Sequence, residues 1–455
     1  MVLRLSGALP VLVAGAVVWA LAASADAQSA GRQWTWVSGG TTVRILPTYP
    51  PALGGTGHPG SRRNGIPWVG ADGSLNFFGG FRQTGITGFA RYTDEWKFDT
   101  NSGTWQWMAG PNTTGGTIVY PPAHGGVGQV GARTGAGIRV DTEGNIWMMG
   151  GWEWNQNLKN DLWKRDAVTG EWTWLSGSNG SDVKIPVPAT IGDTGQPASG
   201  TNTVLCVNRE GDLLTLGGAV LEGSSNVYQN YRWKYDVSAN EWIWLGDHGQ
   251  PTVYPSAPGE AGEPGERVGA SYCLDADGHL WMYGGSVVMT ESTDLWKFDI
   301  DREEWLWIHG GKDGHSPVNF PADYGEGGHP GARNNASMIS DLNGDLWLFG
   351  GTRSTDPAWP LSNDLWRFSQ ATQQWIWEGG SQEDRPSPAF PAAHGQLGYP
   401  GYPSDPIMWM GTDGNLWLYG GFGRDHENTT GDFNAMWKLE LNPVTAAKDW
   451  QLWDR

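Results

Sequence analysis

The chain has 455 residues, with 69 Gly, 28 Pro, 30 Trp and only 17% charged residues. Gly, Pro and aromatic residues at this density favour short strands and tight turns over helices, and so many indoles exclude a disordered chain. A net charge of −19 with no basic run excludes nucleic acid and anionic lipid as partners.

The first predicted element is a leader. Arg4 precedes the apolar run Gly7 to Ser24, and Ala25-Asp26-Ala27 fits the small-x-small cleavage rule. The reading is a signal peptide over residues 1–27 and one mature domain over 28–455, secreted to an extracellular or periplasmic compartment. No later apolar run is long enough to cross a bilayer, so no membrane span is expected after cleavage.

The rest of the chain repeats. Gly pairs end apolar runs at Gly79-Gly80, Gly150-Gly151, Gly217-Gly218, Gly284-Gly285, Gly350-Gly351 and Gly420-Gly421, spaced by 71, 67, 67, 66 and 70 residues. Each unit reads as four strands. Ahead of the Gly pair stands a hairpin, as in Asp277-Gly278 followed by Leu280-Trp281-Met282-Tyr283. A variable loop follows. Next comes a third strand centred on Trp96, Trp163, Trp233, Trp296, Trp366 or Trp437, each followed by Lys or Arg. Nine residues on, in the first five units, comes Trp-x-Trp, from Trp105/Trp107 to Trp375/Trp377.

A hairpin ending in Gly-Gly, then an aromatic strand, then a Trp strand resembles the Kelch-repeat propeller family, and more closely its Trp-rich bacterial-type members. The resemblance covers about residues 33 to 453. It implies an all-β, six-bladed Kelch-type β-propeller with four-stranded antiparallel blades. The unit is longer than the roughly 50 residues usual for Kelch, mainly in the connection between blades. The gap between radiating blades widens outward, so 24 of the 30 Trp read as wedge-filling core. The pair Trp34/Trp36 precedes the first hairpin, which predicts that the N-terminal strand pairs near Trp437 and closes the ring. The competing reading has residues 447–453 finish the sixth blade.

Function is expected on the face carrying the inter-blade connections. Arg62, Arg133, Arg267 and Arg333 each stand seventeen residues before a Gly pair, with Gly200 and Pro403 in their place in the third and sixth units. Two readings compete: a ring of guanidinium groups that clamps an anionic ligand, or caps on the loop's own carbonyls. His58 and His329 share one repeat position beside them. Trp152 and Trp154 lie in a variable loop outside the repeat and are candidate stacking surfaces. Cys206 and Cys273, each eleven residues before a Gly pair, are either a disulfide or two buried thiols.

No His-x-x-x-His or His-x-His spacing occurs, so no metal or cofactor is expected. Copper-radical oxidases similar to galactose oxidase share the Kelch propeller, but no residues here map onto their Tyr, His and cross-linked Cys ligand set. The preferred function is a secreted, monomeric, non-catalytic binding or scaffold module whose partner is a protein or a glycan. The alternative is a carbohydrate-active or galactose-oxidase-like secreted enzyme.

Overall fold

The structure is a computed structural model. It describes residues 32–441, apart from 86–87, 154–156, 223–224, 248–251, 288–289, 312–315, 354–360 and 384. Residues 1–27, expected to be a signal peptide, and the C-terminal pair Trp450/Trp453 lie outside the described residues. The fold is all-β: the described residues contain no helix and form several antiparallel sheets.

Six of these sheets follow one plan. In the first, the order is Ile66–Val69, Leu75–Phe78, Glu95–Asp99, Thr104–Ala109, with the two-residue strand Thr56–Gly57 added outside. The corresponding first strands of the next five are Gly137–Val140, Val204–Val207, Ser271–Leu274, Ser337–Ser340 and Ile407–Met410. In the sixth sheet the outer place is taken by Trp34–Ser38, which pairs antiparallel with Met436–Leu439. Trp34 faces Leu439 and Trp36 faces Trp437.

Local chemistry accounts for each hairpin. The backbone amide of Gly144 donates to the carbonyl of Asp141 (3.0 Å), and Asp141 closes the loop onto Asn145 (2.9 Å). Gly144 takes φ +85°, which a side chain would resist. The same Asp141 carboxylate accepts the indole N–H of Trp147 at 2.9 Å, and Asp275 and Asp341 do so for Trp281 and Trp347. In four units the basic residue after the third-strand Trp pairs with an acid of this turn: Lys97 with Asp72, Lys297 with Asp275, Arg367 with Asp345 and Lys438 with Asp413. Lys438 pairs with Asp413 at 3.3 Å and lies 5.3 Å from the Trp417 ring. Both residues of every Gly pair take positive φ, so the chain can leave the second strand through a bend that other residues disfavour.

The indoles lie where the wedge argument puts them. Trp96 faces Trp107, and Trp163/Trp174, Trp233/Trp244, Trp296/Trp307 and Trp366/Trp377 repeat the pairing. Among the described residues the twelve largest fully buried side chains are all Trp. Six apolar clusters fill the spaces between sheets, each joining two sheets consecutive in sequence or the sixth with the first. The last of these sets Phe77, Trp96 and Trp105 against Trp409, Trp417 and Tyr419.

Trp34 is 0% exposed in the cluster between the fifth and sixth sheets. Trp34→Ala is expected to cost about 3–5 kcal/mol, the usual loss for a buried indole. It should appear as a lower denaturant midpoint at unchanged slope; an unchanged midpoint would contradict the N-terminal pairing.

Candidate functional site

The four repeated Arg are spent inside the protein. Arg62 is 0% exposed; its Nη1 donates to Asp94 Oδ1 (2.7 Å) and to the carbonyl of Gly79 (3.0 Å). Its Nε and Nη2 donate to the carbonyl of Pro59, and Nη2 also to Asp94. All five N–H donors of its guanidinium are therefore used. Arg267 and Arg333 repeat the arrangement with Asp294 and Asp364, and Arg133 grips Asp161 and the carbonyl of Gly150. The ligand-clamping reading of Arg62, Arg133, Arg267 and Arg333 thus gives way to the loop-capping one. Each guanidinium staples the first Gly of a pair to the start of the third strand.

A sequence pattern separate from the Arg repeat marks the Asp partners. Asp-x-Trp occurs at Asp94, Asp161, Asp294 and Asp364, and is replaced at Tyr231 and Ala435 in the two units that lack the Arg. Each Asp also accepts the indole N–H of its Trp, from Trp96 at 2.6 Å to Trp366 at 2.8 Å. In three units a Tyr hydroxyl adds to this: Tyr49, Tyr120 and Tyr254 donate to the same carboxylates. Burial alone would raise these acids. The paired Arg and the indole and hydroxyl donors instead hold Asp161, Asp294 and Asp364 below the usual carboxylate range.

His58 and His329 serve the same loops. Their Nδ1 atoms accept the backbone N–H of Gly60 (2.9 Å) and Gly331 (3.0 Å). Burial, with a nearby Arg in each case, pushes both imidazoles down to about 4, so they are neutral at physiological pH. Trp152 is half-buried on a hairpin, opposite Thr134 and Leu158. Trp154 lies outside the described residues. Cys206 and Cys273 are free thiols, which removes the disulfide. Cys206 packs between the third and fourth sheets, whereas Cys273 packs between the fourth and fifth, so their side chains follow one another instead of meeting.

The feature that gathers all six units is a cavity of about 830 Å³. Every unit contributes to it the residue fifteen places before its Gly pair: Asn64, Gly135, Asn202, Gly269, Asn335 and Asp405. All six take positive φ, between 51° and 67°. Asn, Asp and Gly are the residues that tolerate this conformation. The positions are joined in pairs by backbone bonds, Asn202 N to Gly135 O (2.6 Å), Asn335 N to Gly269 O (2.7 Å) and Asn64 N to Asp405 O (3.2 Å). A Cβ on Gly135 would meet Thr201 Oγ1 at 2.2 Å, so the tight rim requires Gly there.

The rim is polar and uneven. Asn64, Asn202 and Asn335 are exposed. Asp405 shares Arg63 with Asp432, whose carboxylate lies 3.2 Å from Arg63 Nε. Burial raises both carboxyls against the pull of Arg63. Below the rim the wall is built mainly from the first strands of the first four sheets, with Trp68, Arg139, Tyr272 and Cys273 among its side chains. One other group could interest a metal, His279 with Asp299 and Asp301, but His279 Nδ1 already accepts the N–H of Ile300 at 3.2 Å. Neither a protein-family model nor a curated protein matches this chain.

Two outcomes are expected. Arg333→Ala should lose about 3–5 kcal/mol, because it strands Asp364 as a buried unpaired charge, and Arg333→Met with Asp364→Leu should recover part of it. The depressed carboxyl of Asp364 contributes stability above the unfolded value near 4, lost as pH falls toward the folded one. Thermal melts should therefore fall more steeply with acid in the wild type than in the double variant; parallel acid profiles would refute the clamp. Separately, burial raises both thiols, Cys206 to about 12. Without reductant, a thiol reagent should count two groups after denaturation and label neither quickly before it.

Proposed function

We propose that the six sheets are the blades of one Kelch-type β-propeller closed by the N-terminal strand. On this reading the chain is a secreted, non-catalytic module that binds a protein or glycan at the face bearing the Asn rim. Three properties support the propeller. The six sheets share one strand plan, the apolar clusters link them in sequence order and the sixth to the first, and Trp34–Ser38 supplies the sixth sheet's outer strand. Secretion rests on the leader motif at residues 1–27.

The observation that carries the binding reading is the rim. Residues from all six repeats converge on one cavity, and Asn64, Asn202 and Asn335 make no side-chain hydrogen bond to any described residue. An amide both donates and accepts, so three of them around an opening suit hydroxyls or peptide groups. The cavity is within the size range of small-ligand sites. The four Arg–Asp clamps brace the loops around it, which lowers the ordering cost of binding.

A glycan and peptide array probed with the full-length protein tests this. The control variant carries Asn64→Gly, Asn202→Gly and Asn335→Gly together. Two units already have Gly at this position, so the backbone conformation is kept while the amides are removed. Array ligands should bind the wild type and weaken by about tenfold or more, at least ~1.4 kcal/mol, in the variant. The melting temperature should hold. An empty array, or unchanged binding by the variant, would sink the proposal, as would stoichiometric copper with peroxide release on a sugar panel.

A further inference from the structure

The cavity contains one charge that the repeat does not explain. Arg139 stands eleven residues before its Gly pair, where the other units have Trp68, Cys206, Cys273, Ile339 and Trp409. Five uncharged residues at the same height mean that the fold does not need a cation there. Ile138 and Val140 pack into the cluster between the first and second sheets. Alternation along the strand therefore directs Arg139 to the opposite face, toward the third sheet. Gly137, two residues earlier on that face, lies close enough that a Cβ would meet Thr203 O at 2.7 Å.

Arg139 lines the cavity, and its Nε has neither exposed surface nor a hydrogen-bond partner. It forms no ion pair with a described residue. The groups that act on it are Cys206, Asp141 and Cys273. Both thiols are held neutral by burial, and Asp141 is occupied by Asn145 and the indole of Trp147. The four clamp Arg each have an Asp; this one has none, in a chain whose net charge is −19. Arg139 is only partly buried, but its guanidinium stays charged, and with Nε enclosed and no counter-charge beside it that charge is poorly compensated.

We infer that Arg139 is the anion-binding group of this cavity, taking the carboxylate, sulfate or phosphate of a small ligand that enters past the Asn rim. The inference rests on the reading of the rim as a binding face and specifies the charge of what binds there. Arg presents a planar fork suited to an oxyanion. The four-residue step along the strand from rim to Arg139 spans about 13 Å, so one small ligand can reach both. Asp405 at the mouth and the acidic surface disfavour a polyanion.

Isothermal titration of the full-length protein with glucuronate, sulfate and inorganic phosphate at low ionic strength tests this and separates the anion types. At least one should bind the wild type and raise its melting temperature. Arg139→Met should weaken that binding by tenfold or more and leave the melting temperature equal or higher, since it removes an unpaired, partly buried charge. The inference fails if no anion binds, if Arg139→Met binds equally well, or if Arg139→Met melts several degrees lower, which would make the residue structural. The outcomes separate from those of the rim. Anion binding with an empty array overturns the macromolecular reading alone, and array ligands without anion binding overturn this one alone.

Discussion

Facing indoles on the third and outer strands set the distance between neighbouring sheets, and the rest of the molecule follows from that spacing. Trp96 against Trp107 and its counterparts put two large flat rings on one side of each sheet. The preceding sheet, which for the first is the sixth, supplies the aromatic or aliphatic side chains of its own second strand to the same space. Several indoles settle their own polar atoms locally, while those of Trp34, Trp36, Trp105 and Trp375 are buried without a partner among the described residues. Trp107, Trp174 and Trp377 donate to the carbonyl two residues on, at 2.7 to 2.9 Å. A large apolar ring with a satisfied N–H can be buried at little polar cost.

On this frame the Arg–Asp clamps and the cavity rim are built from different repeat positions. The Arg–Asp clamps brace the loops from within: Arg62, Arg267 and Arg333 spend all their guanidinium donors on them, and Arg133 all but its Nε. The Asn, Asp and Gly positions of the rim are exposed in part and bonded to each other only through backbone. A rim whose conformation is fixed by backbone bonds leaves the side chains of Asn64, Asn202 and Asn335 exposed, while Asp405 is held by Arg63. The third and sixth units, which lack both Arg and Asp, place the exceptions three units apart, so the support of the rim is not uniform.

Much of this was legible in the chain. The Gly pairs, the turn acids and the spacing of Trp-x-Trp locate the strands, because each marks a local requirement of backbone or packing. Trp34 and Trp36 indicated the N-terminal pairing because they stand before the first hairpin. The Arg were recognised as repeated, but their role depends on Asp94, Asp161, Asp294 and Asp364, about thirty residues away in sequence. The paired loss of Arg and Asp in two units was the available clue. The thiols illustrate what spacing does not encode. Equal height on neighbouring strands says nothing about which way each side chain leans, and here both lean the same way. The rim was hidden because Asn, Gly and Asp look unlike as letters and share only a backbone conformation.

The strand Trp34–Ser38 carries a kinetic consequence. Its partner lies roughly four hundred residues downstream, at Met436–Leu439. In a chain that emerges from its N-terminus, the earliest strand is the last to find a neighbour, and the final sheet stays incomplete until synthesis is nearly over. Contacts of such long range slow folding and lengthen the exposure of unpaired edges. Two indoles wait uncovered throughout that interval, so the stretch Trp34–Ser38 is aggregation-prone before assembly and has both its Trp buried afterwards.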